Sequence, residues 1–516
     1  MDIPRTPSWN APMILAHKES AVTIVSSSTD GVDDSLTSKS VPDAAVVGEE
    51  SITDLGGEPI TSIASSCDFI SALSGKGIDH VRICWLDMTS TLRARLVPTH
   101  RALFLLQQSH TRQGPLETGL KVSVATAALS ILQNDHLINV AGASPVGEWD
   151  LCADLTSLRL GPRNRHAMLM GNFREKSGEP VPSCPRTLLE DTMRRASQHG
   201  LSVLLGFEIE FVLLERKGPR QYDRLSSDAH AWCSFGATDT QDPAGAVIEE
   251  AVASLARAGV LVELVHAESA FGQFEIVLPP KPALAAVDTL IYVRAILATT
   301  ATAHGYKTTL HPKPFPDTAG TAAHAHMSLR GVDGEQVDDA QIYEPFYAGI
   351  LSRLRGVMAF TCASPCSYER VVDGCWAGGT WVTWGYHNRE TPLRKVDGSH
   401  WEIRCVDGLA NPYLAMSAII ASGLRGIVSK TPMAWKECTV DPAVLSEAER
   451  SRLNIRERLP TTLEEALCAL EKDGEMANSM LGEAMVERYV AIKRAEIGML
   501  QSMKPDEQRQ WIIERY

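Results

Sequence analysis

Four segments of the chain alternate apolar and polar residues in a way that predicts strands with one buried face and one polar face. They are GFEIEFVLL (206–214), FGQFEIVL (271–278), HAHMSL (324–329) and HWEIRCV (400–406). Side chains alternate faces along a strand, so Phe207, Ile209 and Phe211 share one side while Glu208 and Glu210 share the other. The same alternation puts Glu, Gln, His or Arg on one face of each remaining segment. The pattern predicts a sheet with one chemically active face.

Helical spacing and composition divide the rest of the chain. The segment 411–428 predicts a helix, because Asn411 can cap it, Pro412 suits its first turn and apolar residues recur at helical spacing. Residues 1–60 are rich in Ser, Thr, Asp, Gly and Pro and predict a disordered tail. We expect an α+β protein with a small N-terminal domain over 61–160 and a larger domain over 161–516.

Composition limits the class of protein. The chain has 516 residues, 44% of them hydrophobic, and no run of about 18 apolar residues that would suggest a membrane span. A net charge of −14 without a Lys/Arg block argues against nucleic acid or an anionic membrane as a partner. The eleven cysteines form no Cys-x-x-Cys pair, and no secretory signal is visible. We expect a soluble, cytoplasmic protein with reduced thiols.

The polar faces collect five acids and one histidine, which together predict a metal site. Carboxylate oxygens favour hard divalent ions such as Mg²⁺ or Mn²⁺, and two or three ions would balance the charge. Glu268 or His324 taken singly would instead suggest a hydrogen-bonded core residue. The candidate ligands are Glu208, Glu210, Glu268, Glu275, His324 and Glu402.

Four arginines near the predicted metal site indicate the substrates. Guanidinium groups bind carboxylates and phosphates through paired hydrogen bonds, so a site with Arg370, Arg389, Arg394 and Arg404 suits a nucleoside triphosphate and an acidic co-substrate. The sequence contains neither a Walker A loop nor a GxGxxG motif, so arginines and metals would have to bind the phosphates. Such a site can phosphorylate a carboxylate and then let an amine displace phosphate.

From about residue 80 to about 430 the chain resembles the glutamine synthetase family. The resemblance is carried in order by WLDMTSTLRAR, SGEPVPSCPRTLL, GFEIEF, ESAFGQFEIV, HPKPFPDTAGTAAHAHMSL, NRETPLR and EIRCVDGLANPYLAMSAIIASGLRGI. It implies a small β-grasp-like domain followed by a catalytic domain whose antiparallel sheet, flanked by helices, forms a funnel. It also implies a ring-shaped homo-oligomer, in which Asp87 of one subunit completes the active site of its neighbour.

The resemblance also implies roles for individual residues. Glu210, Glu268 and Glu275 match one metal site, and Glu208, His324 and Glu402 match the other. The residues near the glutamate substrate would be His326, Arg370 and Arg404. Ser328, Arg389 and Arg394 would lie beside ATP.

Two positions depart from the family pattern. Trp376 stands where the family has a glutamate that helps take a proton from ammonium, and Asp373 is the nearest substitute acid. His400 replaces an arginine that assists phosphoryl transfer. The activation half of the reaction therefore looks preserved and the amine half altered.

The leading hypothesis is an ATP-dependent ligase that joins glutamate, or a similar acid, to an organic amine. The sequence leaves three alternatives open: a glutamine synthetase that uses ammonia, a non-catalytic regulatory or scaffolding oligomer, and phosphoryl transfer to a stable product. It specifies neither the amine nor the ring size.

Overall fold

The structure is a computed structural model that describes residues 66–110, 119–134, 146–225, 231–233 and 243–516. The predicted tail over residues 1–60 lies outside these ranges, so its disorder stays a prediction.

Within the described residues, six strands form a first sheet in the order β2-β1-β6-β4-β3, with β5 paired to β6. The strands are β1 (His80–Leu86), β2 (Leu92–Pro98), β3 (Lys121–Ala125), β4 (Glu148–Ala153), β5 (Arg159–Leu160) and β6 (His166–Arg174). Strands β1 and β6 run parallel, whereas the other pairs are antiparallel. Trp85, Leu169 and Phe173 lie in a hydrophobic core of their own beneath this sheet.

The first sheet extends past residue 160, where we placed the end of the small domain. Strand β6 begins at His166 and pairs with β1 from His80↔His166 to Cys84↔Met170. Because this pairing joins distant parts of the chain, local sequence pattern could not show it.

Nine described strands form a second sheet in the order β13-β14-β15-β12-β7-β10-β9, with β8 and β11 also paired to β7. The strands are β7 (Leu201–Gly218), β8 (Gln221–Arg224), β9 (Leu264–Ala267), β10 (Gln273–Pro282), β11 (Tyr306–Thr309), β12 (Ala325–Gly331), β13 (Trp384–Tyr386), β14 (Leu393–Asp397) and β15 (His400–Ile403). All pairs are antiparallel except β13 with β14.

The described α-helices cover the two sheets and pack on one another. They are α1 (Ser66–Gly75), α2 (Thr99–His110), α3 (Pro185–Gln198), α4 (Pro243–Arg257), α5 (Ala283–Ala303), α6 (Ala340–Thr361), α7 (Pro412–Val428), α8 (Glu447–Arg452), α9 (Leu463–Lys472), α10 (Glu483–Gln501) and α11 (Pro505–Arg515). Asn411 caps α7 by accepting from the Tyr413 and Leu414 amides, as its sequence predicts. Helix α5 is apolar enough in length and composition to span a membrane, but it packs against α4, β7 and β11 as a core helix.

The two faces of β7 have the character that alternation predicts. Phe207, Ile209 and Phe211 are buried in the main hydrophobic core. Glu208 and Glu210 point to the opposite face, where the neighbouring strands bring further polar side chains. The strand ladder therefore builds the polar face on which the candidate site lies.

Candidate active site

Four adjacent strands, in the order β15-β12-β7-β10, carry most of the candidate metal ligands. Glu275 on β10 lies directly opposite Glu210 on β7. The Glu208 amide donates to the carbonyl of His324, 3.1 Å away, just before β12 begins. On the other side of β12, His326 lies opposite Glu402 of β15. The sheet register thus brings together residues from four separate segments.

Glu208, His324 and Glu402 form the first group with the spacing of metal ligands. His324 Nδ1 lies 2.9 Å from Glu208 Oε2 and 3.4 Å from Glu402 Oε1. His324 and Glu402 are buried, and Glu208 is partly buried. These three residues are the set that the resemblance assigns to one metal site.

The acids that the resemblance assigns to the other metal site fall into two overlapping groups. Glu210 and Glu275 combine with His324, whereas Glu268 and Glu275 combine with His266. His266 Nε2 lies 3.1 Å from Glu268 Oε1 and 3.7 Å from Glu275 Oε1. His266 was not among the predicted ligands, although its spacing of two from Glu268 predicts that both side chains share one face of a strand.

Burial and mutual repulsion perturb the acids of this face. Burial, followed by the charges of Glu208 and Glu210, raises the pKa of Glu275 to about 10. Burial, followed by the charge of Glu268, raises the pKa of Glu210 to about 7. Burial would also raise the pKa of Glu208, but hydrogen bonds from His324 and His326 hold it well below its ordinary value. Crowded acids of this kind favour a bound cation.

The donor set fits a hard divalent cation. It consists mainly of carboxylate oxygens, which suit Mg²⁺ or Mn²⁺ better than a structural zinc ion. His324 Nε2 is buried without a hydrogen-bond partner. A cation would compensate the crowded negative charge, so these residues are able to hold one or more such ions.

Two of the four predicted arginines bind Glu402 directly. Arg394 Nη1 lies 2.6 Å from Glu402 Oε2, and Arg404 pairs with Glu402 Oε1. Buried Arg370 donates to the Arg404 carbonyl at 3.3 Å and leaves Nη1 without a partner. Arg389 is exposed, and its carbonyl accepts from the Gly378 amide. The structure thus places Arg370, Arg394 and Arg404 beside the acids, and places Arg389 at an exposed position of the neighbouring loop.

Two further predicted residues lie on β12. His326 Nε2 is 3.0 Å from Glu208 Oε1, and His326 Nδ1 is 2.8 Å from His400 Nε2. Burial, followed by the charge of His326, lowers the pKa of His400, which favours its neutral form. Ser328 is partly buried two residues beyond His326, on the same face of the strand.

Asp87 contacts residues outside the group of acids in its own chain. It is fully buried and forms an ion pair with Arg93 at 2.5 Å. It also accepts from the Thr89 and Thr91 amides, while its carbonyl accepts from Asn411. These hydrogen bonds and this ion pair involve none of the six candidate metal ligands.

Trp376 lies on a loop that forms hydrogen bonds with residues beside the candidate metal ligands. Its amide donates to Glu390 Oε1 at 2.7 Å, and its carbonyl accepts from Arg404 at 2.7 Å. Asp373, the predicted substitute acid, accepts from the amide and hydroxyl of Thr380. Asp373 therefore stabilises the loop. Trp376 itself is 56% exposed.

Trp232 is a second residue that sequence reasoning missed. Its ring stacks on Trp376 with centroids 5.9 Å apart and planes 20° apart. Its surroundings in the sequence show no periodic pattern, so only the tertiary fold reveals the contact.

Comparison with known proteins agrees with this geometry. Residues 182–516 match the family model for the catalytic domain of glutamine synthetase. Protein fluG of Emericella nidulans is 37% identical over 470 residues, which cover 89% of this chain and 51% of the relative. The chain thus spans about half the length of that relative.

Two other similar proteins match nearly end to end. Gamma-glutamylpolyamine synthetase GlnA3 of Streptomyces coelicolor is 29% identical over 84% of this chain and 93% of its own. A solved complex of GmaS with ADP superimposes with a TM-score of 0.73 at 25% identity, over 86% of this chain and 99% of that one. These matches confirm the α+β fold that the resemblance implied. The chain belongs to the glutamine synthetase family of ATP-dependent, metal-dependent ligases.

Proposed function

We propose that this protein is an ATP-dependent ligase that couples glutamate to an organic amine. The observation that carries the proposal is the contrast within one site. The groups suited to activating a carboxylate lie together in the structure, whereas the resemblance assigns Trp376 to the position at which the family has an acid for ammonium.

The first step would be phosphorylation of the glutamate side-chain carboxylate. A carboxylate oxygen attacks the γ-phosphorus of ATP, the bond to the bridging oxygen breaks, and ADP leaves. Divalent ions held by the glutamates and His324 would neutralise phosphate charge. Arg370 and Arg404 would hold the substrate carboxylates, with His326 beside them. Arg394, Arg389 and Ser328 would contact ATP.

The second step would join the amine to the activated carboxylate. The neutral amine nitrogen attacks the acyl carbon, the bond to the phosphate oxygen breaks, and phosphate leaves with the proton that the nitrogen gives up on forming the amide. An amine that arrives as an ammonium ion must first lose one proton to solvent or to another group, because Trp376 cannot accept it. An indole instead supplies apolar and cation-π surface to an organic substituent. The similarity to a gamma-glutamylpolyamine synthetase supports an organic acceptor.

His400 fits this site as a neutral hydrogen-bonding residue. Its ring nitrogen lies 2.8 Å from His326, and its lowered pKa disfavours a permanent positive charge. We therefore propose that His400 orients His326, and that Arg394 supplies the positive charge nearest to the phosphates.

Two of the three alternative functions draw less support. An ammonia-using enzyme would need an acid near the acceptor, but Asp373 is engaged by Thr380. A non-catalytic oligomer would have no need for buried acids that repel one another.

We further propose a cytoplasmic, ring-shaped homo-oligomer in which Asp87 reaches the active site of a neighbouring subunit. This arrangement rests on the resemblance, since Asp87 is buried and paired with Arg93 in its own chain. Multi-angle light scattering should report a large oligomer. A fully active monomer would contradict it.

Hydroxylamine tests the proposed activation step, because it traps an acyl phosphate as a coloured hydroxamate. We expect hydroxamate only when glutamate, ATP and Mg²⁺ are all present. ATP turnover that proceeds without glutamate, or no turnover at all, would contradict the ligase proposal.

A further inference from the structure

Trp232 and Trp376 share three unusual properties. They are 63% and 56% exposed, although tryptophan is a large apolar residue. Both have left-handed backbones, with φ of 55° and 54°. Bulky residues rarely adopt such a conformation, and those that do concentrate at functional sites. Two exposed tryptophans held in unfavourable conformations and stacked on each other need an explanation beyond packing.

Each tryptophan is anchored to a different side of the acidic face. The Trp232 amide donates to the Ala267 carbonyl at 2.9 Å, and Ala267 immediately precedes Glu268 at the end of β9. The Trp376 carbonyl accepts from Arg404, which follows β15 and binds Glu402. Strands β12, β7 and β10 lie between β15 and β9 in the sheet. The stacked pair therefore links the two sides of the site across the strands that carry Glu208, Glu210 and Glu275.

The loop that carries Trp376 is fixed by its own hydrogen bonds. Glu390 accepts from the amides of Gly374 and Trp376 at 3.1 and 2.7 Å, and Asp373 accepts from Thr380. Asp441 accepts from the Ala443 amide. Burial raises the pKa of Glu390, and the nearby charge of Asp441 raises it further. These hydrogen bonds hold the backbone of the Trp376 loop in place.

We propose that Trp232 and Trp376 form an aromatic acceptor subsite that selects arylalkylamines, meaning primary amines with an aromatic ring on a short alkyl chain. This inference rests on the proposed ligase function. A planar ring extends the existing stack, and its alkyl chain lets the nitrogen reach the acyl carbon. Ammonium and aliphatic amines, diamines included, lack a ring and therefore gain none of this stacking.

Steady-state kinetics with an amine panel provides the first test. Purified protein with saturating Mg-ATP and glutamate receives 2-phenylethylamine, isopropylamine, putrescine or ammonium, and phosphate and amide products are measured. We expect kcat/KM for 2-phenylethylamine to exceed that for each other amine by about tenfold. If isopropylamine or putrescine is preferred, the subsite assignment is wrong while the ligase proposal stands. If no amine is ligated, the ligase proposal itself fails.

Variants of Trp232 separate binding from folding. Trp232→Asn removes the ring, and asparagine tolerates the left-handed backbone. We expect KM for 2-phenylethylamine to rise about tenfold, with kcat and the KM for ATP unchanged, and Trp232→Phe to recover most of the loss. Phe104→Asn, at a 45% exposed position on α2, is the matched control and should leave all constants unchanged. An unchanged amine KM in Trp232→Asn would overturn the assignment.

Discussion

The candidate site has two parts, which we call the floor and the rim: the floor is built mainly on β-strands and the rim on residues outside them. The floor consists of acids and histidines on or beside neighbouring strands, and its positions follow from strand register. The rim consists of Trp232, within the described residues 231–233, and Trp376, and the two tryptophans stack on each other and have left-handed backbones.

This difference explains how the glutamine synthetase fold can keep the step that activates the carboxylate while the acceptor amine changes. A floor residue is coupled to several neighbours, as Glu402 is to His324, Arg394 and Arg404. A rim residue such as Trp232 can change without altering the strand ladder. We therefore expect floor substitutions to abolish the reaction and rim substitutions to redirect it.

The largest effect should come from removing a floor charge. Glu402→Gln keeps the shape of a fully buried side chain but leaves Arg394 and Arg404 without their shared carboxylate. Loss of a buried charge partner costs about 3–5 kcal/mol. We expect phosphate release to fall at least about a hundredfold and Mg²⁺ to raise the melting temperature less.

The exposed Glu335 allows a matched control, Glu335→Gln, which should behave as the wild type. Wild-type phosphate release and an unchanged metal-induced shift in Glu402→Gln would refute the assignment of Glu402 to the floor.

A smaller effect concerns pH and metal binding. In the metal-free protein the pKa of Glu210 is about 7, so the folded chain retains a proton that the unfolded chain loses near its ordinary pKa of 4.5. The resulting stabilisation is present at low pH and is lost as pH rises through 7, by about 3 kcal/mol. Metal requires ionised acids, so the Mg²⁺-induced rise in melting temperature should grow between pH 5 and pH 8.

Thermal melting with Mg²⁺ and with EDTA measures this coupling. Glu210→Gln should reduce the pH dependence of the metal-free protein, and the remainder should come from Glu275, whose pKa is also raised. A Mg²⁺-induced shift that stays constant across this pH range would contradict the predicted competition between protons and metal.

A rim substitution should redirect the reaction. Trp376→Glu places an acid where the family has one, which would attract ammonium and accept its proton. We expect kcat/KM for ammonium to rise about tenfold and that for organic amines to fall, with the KM for ATP unchanged. Phe104→Glu serves as the control for added charge. If ammonium use does not increase, Trp376 does not occupy the acceptor position.

The smallest effect should come from the N-terminal tail. A chain that starts at Thr61 should retain its phosphate release and its melting temperature, because the composition of residues 1–60 cannot form a core. Circular dichroism and the phosphate assay would measure both properties. Loss of folding would show that the tail is part of the folded protein.

The sequence predicts the floor better than the rim for a physical reason. Because side chains alternate along a strand, the sequence predicts Glu208 and Glu210 on one face and Phe207 and Ile209 on the other. The structure has the same arrangement, with both apolar residues in the core. The same rule could have revealed His266. No local pattern indicates that Trp232 meets Trp376, because both lie in loops whose contact depends on the whole sheet. The parallel pairing of β6 with β1 escaped prediction for the same reason.

The burial of Asp87 shows a second limit. Its motif suggested a role at a neighbouring subunit, but only the structure shows the pairing with Arg93 and the contact with Asn411. Its proposed role between subunits is therefore tested by the oligomeric state and not by the geometry of one chain.

The most direct test of the central claim compares acceptor amines under identical conditions. Purified protein, Mg-ATP and glutamate would be incubated with ammonium or with 2-phenylethylamine, isopropylamine or putrescine, and the amide products identified by mass spectrometry. The proposed function predicts glutamyl amides of at least one organic amine, formed with one phosphate per amide, and less than about one tenth of that rate with ammonium. Glutamine formed from ammonium faster than any organic amide would contradict it.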